Sequence, residues 1–125
     1  MNSGFIKTVK DLKVYNESFR LAMEIFHLTR AFPKEELYSL TDQIRRSSRS
    51  VTANIREGYA KRRYEPVFIK QLVDAYGSLE ETRTWLEFSN GSSYITDETF
   101  ERLDAEYDKL GGMLNRLINN WHKVE

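Results

Sequence analysis

The sequence predicts an all-α protein, an up-down-up-down four-helix bundle. Three observations carry this. Apolar residues recur at three- and four-residue intervals along four segments, while no stretch sustains the period-two alternation of a half-buried strand. The only two prolines, Pro33 and Pro66, fall where one helix ends and another begins. A chain of 125 residues, 40% hydrophobic and 30% charged, has the size and composition of one folded domain. Residues 1–10 are expected to form an N-terminal tail and residues 11–123 the bundle.

The first helix is expected over Asp11 to Ala31, with Asp11 as N-cap. It carries two apolar stripes. Placing Leu12 at 0° and advancing about 100° per residue puts Tyr15, Phe19, Ala22, Met23 and Phe26 on one side. Val14, Leu21, Ile25, Leu28 and Phe32 fall on the opposite side. A bundle helix normally shows one apolar face. A wide core face with a buried flank would accommodate both stripes, and so would a subunit interface. The expectation taken forward is that the Leu12–Tyr15–Phe19 stripe faces the core and Val14, Leu21, Ile25, Leu28 and Phe32 form an oligomer interface.

The second helix is expected from about Glu36 to Arg63, with Leu37, Ile44, Ser48, Val51, Ile55 and Tyr59 inward. The third starts near Pro66 and turns Phe68, Leu72, Ala75, Leu79, Arg83 and Leu86 to the core. "SNGSSYIT" is a loop that ends in Thr96, the expected N-cap of the fourth helix, with Asp97 and Glu98 favourable in its first turn. The fourth has the cleanest pattern, Phe100, Leu103, Tyr107, Leu110, Leu114, Leu117 and Trp121.

Net charge is zero, but the charges are unevenly placed. Residues 41–63 hold seven basic and two acidic groups, whereas residues 64–125 hold six basic and twelve acidic groups. The basic segment contains "QIRRSSRSVTANIREG", which combines charge, core and slenderness in one helix. On a helical wheel these occupy different faces: Ile44, Ser48, Val51 and Ile55 look inward, while Arg45, Arg49, Arg56 and Arg63 form one flank. Ser47, Ser50, Ala53 and Asn54 keep the remaining sides thin, so another helix can approach closely. Guanidinium forks suit phosphate or carboxylate equally. The flank therefore pairs with acidic residues of the third and fourth helices, in this chain or a neighbouring one, or it contacts nucleic-acid backbone.

"IRRSSRSVTANIREG" followed by "AYGSLEET", with "DLKVYNES" upstream, resembles a four-helix-bundle family that includes proteins encoded in intervening sequences of 23S ribosomal RNA genes. The resemblance runs from about Asp11 to Trp121. It implies a bundle assembled as a homopentamer. It also implies kinship with accessory proteins of diversity-generating retroelements, which bind nucleic acid and a reverse transcriptase through a basic surface. No catalytic activity is implied. Asn54, Glu57 and Gly58 match the family's first block, and Gly77 and Ser78 its second. The residues themselves suggest structural roles, with each glycine making room for a neighbour. "RRYEPV" departs from the polar, serine- or glycine-containing turn usual in the family.

Other chemistry finds little footing. A di-iron bundle needs two Glu-x-x-His motifs, and Glu24-x-x-His27 has no counterpart, since Asn119 stands three residues before His122. Two histidines and no cysteine argue against a zinc site and leave no thiol chemistry. Ser47, Ser48 and Ser50 have no histidine nearby in sequence, and Glu80 and Glu81 point about 100° apart. The aromatic residues are expected at core positions and not as a stacking platform. No signal peptide and no membrane-spanning run is present, so a cytoplasmic protein with no membrane partner is expected. Two classes of function remain. One is a non-catalytic homo-oligomeric scaffold, a pentamer by resemblance, binding RNA or DNA beside a protein partner. The other is a structural or protein-binding homo-oligomer whose arginines make subunit contacts. No metal or cofactor is expected in either.

Overall fold

The computed structural model describes residues 6–124. It contains four helices, α1 (Lys13–Thr29), α2 (Leu40–Ala60), α3 (Glu65–Gly91) and α4 (Asp97–Val124), and no strand among the described residues. Each helix packs on the next and α4 closes back onto α1, as short connections between antiparallel neighbours require. The core is the expected one on three helices. Ile44, Val51 and Ile55 of α2, Phe68, Leu72, Ala75, Leu79 and Leu86 of α3, and Leu103, Tyr107, Leu110 and Leu114 of α4 are all buried. Trp121 meets Phe68 edge-on with ring centroids 4.6 Å apart, tying the end of α4 to the start of α3.

The helix ends depart from expectation at three places. Asp11 does not cap α1. It closes a 3-10 turn, Val9–Asp11, by accepting from Thr8 N at 2.9 Å and Lys7 N at 2.7 Å. Leu12 follows in extended backbone (φ −87°, ψ 119°) and is buried, and Val9, expected in the tail, is buried too. The second helix begins at Leu40, not Glu36, because Pro33 leads into a further 3-10 turn, Lys34–Glu36. Glu36 caps α2 from outside by accepting from Leu40 N at 3.3 Å and Ser39 Oγ at 2.5 Å. Leu37, expected inward, is therefore exposed. At its other end α2 stops at Ala60, so Arg63 sits in the turn into α3. Thr96 caps α4 as expected, its Oγ1 accepting from Thr99 N at 3.1 Å.

The slender face of α2 lies on α3 and carries a line of polar rungs. Thr82 Oγ1 donates to Ser47 Oγ at 2.8 Å, Ser50 and Ser78 hydroxyls meet at 2.9 Å, and Gln71 Nε2 donates to Asn54 Oδ1 at 2.8 Å. Gly58 completes the line. A Cβ there would stand 2.7 Å from Gln71 Cβ and 3.0 Å from Phe68 Cδ1, so only glycine fits this crossing.

Candidate functional site

Both apolar stripes of α1 exist, but the one expected at a subunit interface lies in the core, and the other is only partly buried. Val14, Leu21, Ile25 and Phe32 are buried within one chain and Leu28 packs against the same core, so they are not a subunit interface. The reason is Leu12. It is buried through extended backbone ahead of the helix, so its place on a helical wheel says nothing about which face of α1 turns inward. Of the stripe expected inside, Leu12 and Ala22 are buried and Tyr15 packs on the core, but its outer edge reaches solvent. Phe19 is 53% exposed and Met23 41% exposed, with Tyr15 and Phe26 half-buried beside them.

That stripe borders the arginine flank of α2. Tyr15, Phe19, Ala22 and Met23 of α1 and Arg49, Thr52, Ala53 and Arg56 of α2 line an open groove of about 280 Å³. Thr52 Oγ1 bridges its floor by donating to Ser18 Oγ at 2.9 Å. At one end Arg56 Nη1 donates to Tyr15 OH at 3.1 Å, and its guanidinium lies 5.8 Å from the Tyr15 ring centre. At the other, Arg45 and Arg49 stand over the Phe26 ring at 4.8 and 5.8 Å, and Arg45 Nε donates to Thr29 Oγ1 at 2.8 Å. The structure thus brings Arg45, Arg49 and Arg56 together with an aromatic row. Arg63 is exposed on the turn and lies off the helical flank.

Pairing separates these arginines from Arg20, Arg83 and Arg102. Arg20 of α1 reaches Glu17 at 3.1 Å and Glu106 of α4 at 2.7 Å, and Arg102 of α4 bonds Glu106 at 2.8 Å and Glu24 of α1. Arg83 of α3 holds Asp104 at 2.8 Å and Asp108 at 3.1 Å. The hydrogen bonds that Arg20 donates to Glu17 and Glu106 push it above the ordinary arginine range, and the one that Arg83 donates to Asp104 does the same there. Among the described residues, no carboxylate stands within ion-pair distance of Arg45, Arg46, Arg49, Arg56, Arg62 or Arg63. Pairing with the acids of α3 and α4 in the same chain is therefore not what holds them.

The residues of the two sequence blocks separate into different roles. Asn54 and Gly58 belong to the α2–α3 seam, as does Ser78, whereas Glu57 is exposed and pairs only with Lys61 at 3.0 Å. Gly77 has no atom within 4 Å of where its Cβ would be. It lies on the outer face of α3 with Val73 and Phe88, 50% and 57% exposed, so no aromatic of its own chain packs over it. His27 is exposed and stacks edge-on with Phe26 at 5.4 Å. No cluster of three or more histidine, aspartate or glutamate side chains suited to a metal occurs among the described residues.

The family model described as 23S rRNA-intervening sequence protein matches residues 10–116. The chain belongs to that family. A crystal structure of a protein of unknown function from the S23 ribosomal protein family of Bacteroides thetaiotaomicron superposes with a TM-score of 0.77 at 30% identity. The match covers 85% of this chain and 95% of that one. No curated protein matches. The four-helix bundle is thus a property the chain shares with this family relative, and no described helix is long and apolar enough to cross a membrane.

Proposed function

We propose that the protein is a non-catalytic homo-oligomeric scaffold that binds the backbone of RNA or DNA through the arginine flank of α2. The observation that carries this is the pairing contrast: Arg20, Arg83 and Arg102 are saturated with carboxylates, while Arg45, Arg49 and Arg56, the last two lining one groove, have none among the described residues. Unpaired guanidinium forks at one face are what phosphate recognition requires. The family's description as 23S rRNA-intervening sequence protein, and the S23 ribosomal protein family named for the similar structure, fit an RNA setting. Self-association is supported by the outer face of α3, where Val73 and Phe88 are exposed around an open Gly77. Copies in a ring, five by the family resemblance, repeat the flank and raise the effective concentration of weak phosphate contacts.

A second reading is favoured by the exposed Phe19 and Met23. In it the arginines and the aromatic row meet the apolar and acidic face of a neighbouring copy's α3, which carries Asp74, Glu80 and Glu87. The double variant Arg49→Gln/Arg56→Gln decides between the two. Under the nucleic-acid reading it stays assembled, binds all sequences more weakly and flattens the salt dependence by about one unit per lost contact. Light scattering after size exclusion and fluorescence anisotropy on labelled RNA and DNA read both quantities. If wild type binds neither at about 50 mM salt while the variant falls apart, the arginines are subunit contacts and the nucleic-acid reading is lost.

A further inference from the structure

We infer that the α1–α2 groove takes single-stranded nucleic acid, with a base stacked on Phe19 and the flanking phosphates on Arg49 and Arg56. This rests on the phosphate-binding reading above and names its substrate class. Arginines alone do not explain this groove. A surface built only for phosphate needs cations and no apolar floor. This groove has an exposed phenylalanine at its centre and an exposed methionine beside it, both lying between the arginines.

The aromatic side chains are in register with each other. Tyr15 and Phe19 are one helical turn apart, about 6 Å along the axis, and Phe26 follows about two turns later. The two end rings are already engaged, Tyr15 by Arg56 and Phe26 by Arg45 and Arg49, each guanidinium lying over or beside the ring. Phe19 is the ring with no such cover. A cationic groove with an open aromatic face is the arrangement that binds single strands. Every base has a π-face, and the stacking is tolerant of sequence. A duplex offers the same phosphates, but its base faces are stacked inside, so Phe19 gains nothing from it. The absence of any carboxylate partner for Arg49 and Arg56 among the described residues makes a polyanion the complementary occupant.

Three labelled probes of equal length test this on the full-length protein: a mixed-sequence single strand, the same strand in a duplex, and a base-free abasic strand. Wild type is expected to bind the single strand most tightly and the other two more weakly. Phe19→Ala, at a half-exposed position that leaves the core intact, is expected to weaken single-strand binding about 5- to 150-fold and to leave duplex binding unchanged. Phe19→Trp is expected to restore it and to add a tryptophan signal quenched by the bound strand. Equal affinity for all three probes, untouched by Phe19→Ala, would overturn the stacking inference and leave the phosphate reading standing. No binding to any probe would remove both. Dissociation of the oligomer by Phe19→Ala would show the face to be a contact between copies and would also overturn the inference.

Discussion

Replacing Gly58 and Gly77 by alanine, one at a time, sets two identical changes in opposite surroundings. In a helix interior the exchange should stabilise by about 1 kcal/mol, through propensity and a less flexible unfolded chain. Gly77 should show that gain, because no atom lies within 4 Å of the added methyl. Gly58 should not. Its new Cβ would stand 2.7 Å from Gln71 Cβ, an atom rooted to the α3 backbone and unable to swing aside. Ordinary contact begins at 3.4 Å, so α2 and α3 must part locally. Overpacking of this kind costs about 1–3 kcal/mol, and moving Gln71 strains its bond to Asn54, worth about 1 kcal/mol more. After the propensity gain is subtracted, Gly58→Ala should lose about 1–3 kcal/mol. For a chain of 125 residues each kcal/mol is about 4 °C in Tm. Melting followed by circular dichroism should therefore fall by about 4–12 °C for Gly58→Ala and rise by about 4 °C for Gly77→Ala. Repeating the melts at two protein concentrations separates the fold from assembly. If both variants rise by the same few degrees, the close α2–α3 crossing is not real and the reasoning fails.

Besides the arginine double variant and Phe19→Ala, two further outcomes are expected. Leu114→Ala, at a fully buried position, should cost about 2–5 kcal/mol in urea unfolding, and a loss under about 1 kcal/mol would mean that α4 is loosely packed. Glu36 is held below the ordinary glutamate range first by Ser39, then by Tyr94 and Leu40 N. A lowered folded pKa stabilises above the unfolded value and loses that stabilisation as pH falls through the folded one. Wild type should therefore outmelt Glu36→Gln at neutral pH, and the gap should close below about pH 4. A gap that is absent at pH 7, or constant into strong acid, would contradict this.

Helices α2, α3 and α4 were legible because each has one dominant periodic stripe anchored well inside the helix. The exceptions are local. Leu37 fits the wheel of α2 but precedes the helix, since Pro33 starts a separate turn. Arg83 sits on the core stripe of α3, yet its long side chain carries the charge out to Asp104 and Asp108. The face of α1 was not legible, because two apolar stripes give a wheel no preferred direction and Leu12 supplied a false one. Had the wheel been anchored at Val14, inside the helix, the aliphatic stripe would have shared the core and left Tyr15, Phe19 and Met23 outside. The neighbours of the arginines were beyond sequence in any case. Which carboxylates Arg20, Arg83 and Arg102 capture depends on how α1 and α3 lie against α4, and the unpaired state of Arg49 and Arg56 is what remains after that capture.

The polar rungs between α2 and α3 bear on fidelity as much as on strength. A purely aliphatic seam would tolerate sliding by a turn, since one leucine fills space much as another does. Here the partners are keyed: Ser47 to Thr82, Ser50 to Ser78, Asn54 to Gln71, and the bare backbone of Gly58 beneath Gln71. Sliding by one turn would face these hydroxyls and amides with the wrong neighbours, and the buried Ser47–Thr82 pair, left unmatched, would cost about 1–3 kcal/mol per group. Where several identical bundles gather at high local concentration, α2 of one copy can also meet α3 of another. The keyed seam gives a mispaired hairpin a specific penalty, so helices stay with their own chain while whole bundles remain free to associate.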